Sequence, residues 1–244
     1  MPEVKDNFSN NIQQADGIEI TYYTDPLCCW SWAFEPQWRK LQFEFSGKIS
    51  WHYVMGGLLP SWKNYNDPIN NVSRPIQMGP VWMHASQVSG IPMHQRIWIE
   101  DPPASSYPAC IAVKCAELQS TETGEKYLRL LREAIMINGI NISKQTELIK
   151  IAETLTQKGF TEFTLIKFKE DLKTDKGLEA FRKDLQEVQY RNINRFPTLI
   201  IKANQQPPIL ITGYRPYSIL LDAIKQVAPQ LQKTQQAINE EEIF

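Results

Sequence analysis

The stretch "TDPLCCWSW", residues 24–32, places two of the chain's four cysteines side by side directly after the run "IEITYY", residues 18–23. Such a β-branched and aromatic run is typical of a buried strand, and Asp25-Pro26 then breaks the strand and opens a helix. Cys28 therefore lies where a strand ends and a helix begins. There, exposed N–H groups and the helix dipole favour an anion, and a thiol pKa can fall to about 3.5–7.5. The alternative is a small buried hydrophobic residue, because free cysteine is among the most buried residue types.

Ser31 stands three residues after Cys28, where a dithiol redox site would place its second cysteine. A serine can donate a hydrogen bond to the thiolate, but it cannot form a disulfide. Cys29 is a poor substitute, because one residue along a helix turns by about 100° and adjacent cysteines close only a small, strained ring. We therefore expect a one-thiol site in which Cys28 exchanges with an external thiol. Cys29 is expected to pack inward or to modulate Cys28.

The hydrophobic pattern outside this stretch predicts two groups of strands separated by helices. Helical spacing continues from Cys28 to about Phe45, and a second strand is predicted over Ile49–Met55. From about residue 60 to 193 the pattern indicates a loop and then five amphipathic helices. After Phe196-Pro197 come the strands "TLIIKA" and "ILITG", which a short turn joins as an antiparallel hairpin, and then a helix.

This order predicts an α/β protein with a thioredoxin fold, β-α-β followed by β-β-α, interrupted by an all-helical insertion. Residues 18–60 and 194–228 would form the thioredoxin-like domain, and residues 61–193 the insertion. The polar ends, residues 1–17 and 229–244, are predicted to be flexible tails.

Phe196-Pro197 directly precedes a β-branched strand, at the point where this fold needs a loop beside the thiol. An X-Pro bond in a folded protein is cis in only about 5–6% of cases, but this topological position favours the cis isomer. A cis bond would turn the backbone polar groups of Phe196 toward an extended substrate beside Cys28. The alternative is a trans proline that opens a strand.

Composition excludes several classes of protein. The chain of 244 residues is 42% hydrophobic with a net charge of −1, so no basic footprint for nucleic acid is present. No apolar run approaches the ~20 residues that span a bilayer. Residues 1–17 lack the apolar segment of a secretory signal, and we expect a cytoplasmic location, where thiols stay reduced. Without a CxxC pair or a ligand spacing among the histidines, we predict no metal site and no tightly bound cofactor.

The motif "DPLCCWSWAFEP", residues 25–36, resembles the D-P-x-C-x-x-C-W-x-F motif of the DsbA-like thioredoxin superfamily, in particular its cytoplasmic FrnE-type and disulfide-isomerase branch. Residues 98–119, 195–202 and 211–224 also resemble segments of that branch. The resemblance therefore covers about residues 18 to 228. It implies the following roles around the thiol: Cys28 as nucleophile, Ser31 at the resolving position, and Trp30 and Trp32 as aromatic neighbours.

The resemblance implies thiol-disulfide exchange of the isomerase or oxidoreductase type, by a monothiol mechanism in which Cys28 is the nucleophile. An external thiol such as glutathione would be the co-substrate, and the substrate would be a protein or small molecule that carries a thiol or disulfide. Two alternatives stay open. SpxH-like adaptors use a similar scaffold to deliver a client to a protease, and glutathione transferase-like enzymes use it to act on a small molecule.

Three further residues are candidates for the groove that faces Cys28. Asp101 and Ser106 lie in the segment "EDPPASSYP", for which the alternative is a loop and a helix cap. Arg215, in a strand-to-helix turn, is a candidate contact for a glutathione carboxylate, and the alternative is a solvated arginine. Trp30, Trp32 and Phe196 would add an apolar platform for the substrate.

Overall fold

A four-stranded sheet forms the centre of the computed structural model, which describes residues 17–63, 65–203 and 206–234. The sheet order is β2-β1-β3-β4; β1 and β2 are parallel, and the other two neighbouring pairs are antiparallel. This topology confirms the predicted β-α-β and β-β-α order. The strands are β1 (Ile18–Thr24), β2 (Ile49–Met55), β3 (Thr198–Lys202) and β4 (Ile209–Thr212).

The single helix predicted from Cys28 to about Phe45 is in fact two helices, α1 (Cys29–Ala33) and α2 (Glu35–Glu44). Pro36 explains the break, because it has no N–H with which to continue the hydrogen bonds of α1. In the first turn of α2 that missing N–H costs nothing. The helix α2 packs on the sheet through the fully buried Trp38, whose indole N–H donates to the Tyr53 hydroxyl at 2.8 Å.

Seven helices of the described residues lie between β2 and β3, and α5 to α9 match the five predicted ones. We predicted a loop before them, but α3 and α4 lie there. Buried Met78, Trp82 and Ala85 stand at three- and four-residue steps, which was the available signal for α3. No helix in the described ranges is long and apolar enough to cross a membrane. The seven are α3 (Met78–Ser89), α4 (Ile97–Glu100), α5 (Tyr107–Glu117), α6 (Thr121–Met136), α7 (Gln145–Gln157), α8 (Leu165–Asp171) and α9 (Lys176–Tyr190).

The last helix, α10 (Tyr217–Val227), is followed by a segment that packs against α2. The backbone N–H of Thr234 donates to the carbonyl of Glu44 at 2.8 Å, and the Lys48 ammonium donates to the carbonyl of Gln232 at 2.7 Å. The predicted C-terminal tail is therefore fixed as far as residue 234, because these polar groups find partners on α2 and the turn after it. The rest of the two predicted tails, residues 1–16 and 235–244, lies outside the described residues. The division into domains stays a prediction.

The helices α5 and α9 approach closely where Gly177 faces Cys115. A Cβ at Gly177 would lie 2.3 Å from the Cys115 sulfur, which is closer than real contacts allow. Gly79 occupies the matching second position of α3, and a Cβ there would meet only a backbone oxygen at 3.7 Å. Packing therefore requires glycine at position 177, whereas position 79 has room for a side chain.

We expect Gly177→Ala to lower the free energy of unfolding by about 1–3 kcal/mol, as overpacked cores do. Gly79→Ala is the matched control and should be near neutral. The double variant Gly177→Ala/Cys115→Ala lacks the obstructing sulfur. Its loss in the free energy of unfolding should be smaller than the summed losses of the two single variants, by more than about 0.5 kcal/mol. Urea unfolding of the four proteins measures this coupling, and strict additivity would contradict the packing described.

Candidate functional site

Cys28 caps the N-terminus of α1 in extended conformation and contacts the loop that precedes β3. Its sulfur accepts a hydrogen bond from the backbone N–H of Ser31 at 3.4 Å and donates to the carbonyl of Phe196 at 3.5 Å. The Phe196-Pro197 peptide bond is cis. The fold thus brings together the thiol and the proline loop, which the sequence separates by more than half of the chain.

The Cys28 thiol lies in an environment that disfavours its ionisation. The side chain is 5% exposed, and burial raises its pKa above the ordinary value. Hydrogen bonding from Ser31 and the charge of Arg132 oppose this effect, whereas the charge of Asp25 adds to it. The sequence left two alternatives open for Cys28, a thiol with a lowered pKa at the start of a long helix and a small buried hydrophobic residue. However, α1 has only five residues, and burial outweighs the N–H groups at its end.

Neither neighbour of Cys28 supplies a second reactive thiol. Ser31 is fully buried behind the sulfur and contacts it through its backbone N–H. Cys29 packs inward, as one of the predicted alternatives has it, and burial raises the pKa of its thiol well above the ordinary value. All four cysteines are free thiols.

The thiol lies in the wall of a cleft of about 1020 Å³. One side of the cleft is the face of α3 that carries Val81, His84 and Val88, and the opposite side includes Phe196 and Arg215. Trp30 also lines the cleft; its ring meets the His84 ring edge-on at 5.6 Å and the Tyr214 ring at 6.0 Å. The cleft therefore lies between the thioredoxin-like core and the helices that follow β2.

Gly56 and Gly57 form part of the cleft, and sequence analysis missed both. A Cβ on Gly56 would lie 2.0 Å from the Phe196 ring, so the absence of a side chain allows that ring to stack on the backbone after β2. The backbone N–H of Gly56 donates to the carbonyl of Thr24 at 2.6 Å. The Gly-Gly pair after a predicted strand was the available signal.

Asp25 is the polar centre beneath the cleft, and its role was also missed. The side chain is fully buried, and its carboxylate accepts hydrogen bonds from the N–H groups of Leu27 at 2.8 Å and Leu58 at 2.7 Å, and from the Ser106 hydroxyl at 2.9 Å. The Cys110 thiol lies 3.4 Å from the same carboxylate. Burial raises the pKa of Asp25, and these donors lower it in part.

Two residues predicted to face Cys28 across the groove do not line the cleft. Ser106 is buried and bridges Asp25 to the backbone N–H of Leu59, which donates to its hydroxyl at 3.1 Å. Asp101 pairs with Lys144 at 2.6 Å and accepts from Asn141 at 3.1 Å. The two residues therefore correspond to the alternative that the sequence left open, a loop and the start of a helix, and a contact with the substrate stays a prediction.

The other predicted site residues divide between the cleft and the core. Arg215, Trp30 and Phe196 line the cleft. Trp32 is buried, and its indole N–H donates to the carbonyl of Pro92 at 3.3 Å. Pro197 is buried next to Phe196, and its carbonyl accepts from Gly213 at 2.7 Å. Among the described residues, no group of three or more His, Cys, Asp or Glu side chains is placed to hold a metal ion.

Comparison with known families agrees with this fold. The sequence profile of the family described as thioredoxin matches residues 22–222, which is most of the chain. The chain belongs to the thioredoxin family. Solved structures that share this fold include a probable DsbA oxidoreductase and a putative protein disulfide isomerase, so the predicted resemblance is confirmed at the level of the fold.

Three relatives of this thioredoxin-family chain are informative. The ClpXP adapter protein SpxH of Halalkalibacterium halodurans is 30% identical over 86% of this chain and 67% of its own length. A putative protein disulfide isomerase from Nitrosomonas europaea has a TM-score of 0.69 at 22% identity, covering 86% of this chain and 98% of its own. The cytosolic disulfide reductase DsbM from Pseudomonas aeruginosa with GSH has a TM-score of 0.61 at 17% identity, covering 85% and 99%. The chain thus spans about two thirds of the length of the adapter.

We expect Ser106→Ala to lower the free energy of unfolding by about 1–3 kcal/mol, because it leaves the Leu59 N–H without its acceptor and removes a donor to Asp25. Ser218→Ala, on the exposed face of α10, is the control and should stay within about 0.5 kcal/mol of the wild type.

The cost of Ser106→Ala should also depend on pH. The folded pKa of Asp25 is already raised, so its ionisation destabilises the fold as pH rises through the window between the unfolded and folded pKa values. Losing a donor raises the folded pKa further, and the penalty should therefore be larger at neutral pH than at about pH 4. Urea unfolding at the two pH values measures it. A penalty that shrinks with rising pH would contradict the role of Ser106.

Proposed function

We propose that this chain is a protein-binding adapter on a thioredoxin scaffold, and that Cys28 is not its catalyst. The observation that carries the proposal is the state of the thiol: it is buried, its pKa is raised, and a serine occupies the resolving position. The sequence alone favoured thiol-disulfide exchange at Cys28 and kept the adapter as an alternative. The proposal made here places the adapter first.

The chemistry of thiol exchange explains why the state of Cys28 matters. The thiolate, not the thiol, attacks a disulfide, so a raised pKa leaves only a small reactive fraction at neutral pH. A dithiol enzyme then releases its bound substrate with the second cysteine, which Ser31 cannot do. Both features slow a redox cycle, but neither affects binding in the cleft.

Exposed apolar side chains at the edge of the cleft favour a protein as the bound partner. Ile69 is 74% exposed and Val88 is 50% exposed, and both line the cleft. Ile69 is held outward by a tight turn in which both Asp67 backbone groups pair with Val72, the Asp67 N–H donating at 2.8 Å. Exposed apolar side chains on a fixed turn beside a cleft are typical of a protein interaction site.

Similarity supports a protease as the second partner. The matched relative from Halalkalibacterium halodurans is named a ClpXP adapter, and it aligns with most of this chain. We propose accordingly that the chain brings a client protein to a ClpXP-type protease.

Monothiol exchange with glutathione is the second candidate. Two observations favour it: Cys28 lines the cleft, and the fold is shared with the DsbM structure that contains GSH. In this mechanism the Cys28 thiolate would attack a substrate disulfide, forming a mixed disulfide and releasing one substrate thiolate. The glutathione thiolate would then attack the substrate sulfur of that mixed disulfide, so that Cys28 leaves as the reduced thiolate and the substrate sulfur stays bonded to glutathione. Such a cycle fails without the Cys28 sulfur, whereas adapter binding does not need it.

The two candidates are separated by protein half-lives in the source cell. We expect deletion of the gene to lengthen the half-life of at least one protein, an effect that loss of the protease also produces. Both the wild type and Cys28→Ala should restore the short half-life, and Cys28→Ser serves as the near-isosteric check. Pulse labelling with quantitative mass spectrometry measures the half-lives. Unchanged half-lives on deletion, or restoration by the wild type alone, would contradict the adapter proposal.

A further inference from the structure

Two arginines that have no acidic partner among the described residues lie beside the proline loop in the cleft. Arg195 and Arg215 are exposed and line the cleft. No carboxylate in the described part of the chain lies within ion-pair distance of either guanidinium group. The arginines lie on one side of the cleft, since the Arg195 stem lies 3.4 Å from where a Cβ of Gly213 would be, two residues before Arg215.

The remaining charge in the cleft does not neutralise them. Of the residues that the structure describes, Asp67 is the only acidic one that lines the cleft, and its two carboxylate oxygens are already engaged within its own turn. One accepts from the N–H groups of Ile69 at 3.0 Å and Asn70 at 3.1 Å, and the other accepts from the Asn70 amide at 2.6 Å. Two arginines against one aspartate leave the described lining of the cleft with a net positive charge.

Apolar side chains form much of the remaining lining, beside polar residues that include His84 and Asn194. Val81 and Val88 lie on the α3 side, and Val188 and Ile193 lie near the proline loop. The volume of about 1020 Å³ is at the upper end of small-molecule pockets, and the exposed Ile69 and Val88 extend the apolar surface to its mouth. A tripeptide held at the thiol would leave those side chains in water, whereas a longer polypeptide segment would cover them.

We infer that Arg195 and Arg215 select the client, by binding a polypeptide segment that carries aspartate or glutamate next to apolar side chains. This inference rests on the proposed adapter function and specifies the chemistry of its partner. Guanidinium groups suit this role because their planar N–H groups match a carboxylate in bidentate geometry. The apolar side chains of the segment would pack between α3 and the proline loop.

The first test is a selection from a library of random twelve-residue peptides displayed on phage. The wild type should enrich peptides with Asp or Glu next to apolar residues. The variant Arg195→Glu/Arg215→Glu should reverse the charge preference and enrich Lys or Arg instead. Arg182→Glu/Lys225→Glu changes the net charge equally at two exposed positions outside the cleft, and it should select the same acidic peptides as the wild type.

The second measurement is the affinity of the most enriched acidic peptide, by fluorescence anisotropy. Each exposed arginine should contribute about two- to fivefold in affinity, so the double reversal should weaken binding by about tenfold and the control should not. Replacing the acidic residues of the peptide with their amides should weaken binding to the wild type similarly, and added salt should weaken it further. Thermal melting verifies that the variants fold.

Three results would overturn the inference: no enrichment, enrichment without acidic residues, or the same acidic preference in the charge-reversed variant. If the first of these is accompanied by binding of glutathione to the wild type, the arginines would be assigned to a small ligand instead. The selection contains no protease and no client. Failure of the adapter function appears in the half-life experiment, so the two failures are distinguishable.

Discussion

The buried carboxylate of Asp25 joins the three segments on which the cleft depends. It accepts from Leu27 at the start of α1, from Leu58 in the turn after β2, and from Ser106 at the start of α5. A buried carboxylate is stable only when its oxygens are fully hydrogen-bonded. Each donor is held in place because moving it away would leave a buried oxygen without a hydrogen bond, which costs free energy. The thiol loop, the Gly-Gly turn and the helical insertion thus meet at this one side chain, and a backbone hydrogen bond from Ser106 to Leu59 at 2.8 Å adds a second connection between the last two.

A second buried charge supports the same junction from the α6 side. Arg132 pairs with Glu35 of α2 at 2.9 Å and donates to the hydroxyl of Thr24, the residue before Asp25. Asp25 and Arg132 thus hold the end of β1 against two helices of the insertion, α5 and α6. The cleft can then present exposed apolar side chains at its mouth without losing its shape. A preorganised cleft of this kind lowers the entropy that a bound segment must lose.

The first two strands could be predicted to the residue, and the last two to within one residue, because their signal is local. Buried β-branched and aromatic runs bounded by turn residues mark Ile18–Thr24 and Ile49–Met55, and the structure has those bounds. The pairing of Cys28 with Phe196 followed from topology, since the fold places the end of β1 beside the start of β3. The signal for α3 was weaker, because three buried residues at helical spacing stood among glycine, prolines and polar residues.

The environment of the site could not be predicted, because it depends on contacts between distant residues. The short helix α1 and the packing around the thiol decide whether the pKa of Cys28 is lowered or raised. The hydrogen bond to Asp25 decides whether Ser106 faces the groove or the core. An acidic or polar residue in a loop carries no local sign of its partner. That Arg195 and Arg215 lack an acidic partner in the described ranges is recognisable only when the charges around the cleft are known.

The central claim, that the Cys28 thiol is protected rather than activated, is tested most directly by its titration. Ultraviolet absorbance of the thiolate, taken as the difference between the wild type and Cys28→Ser across pH, reports the pKa of this one group. We predict a midpoint above the ~8.5 of an ordinary cysteine, as burial requires. A midpoint at or below that value would contradict the account and support a redox enzyme.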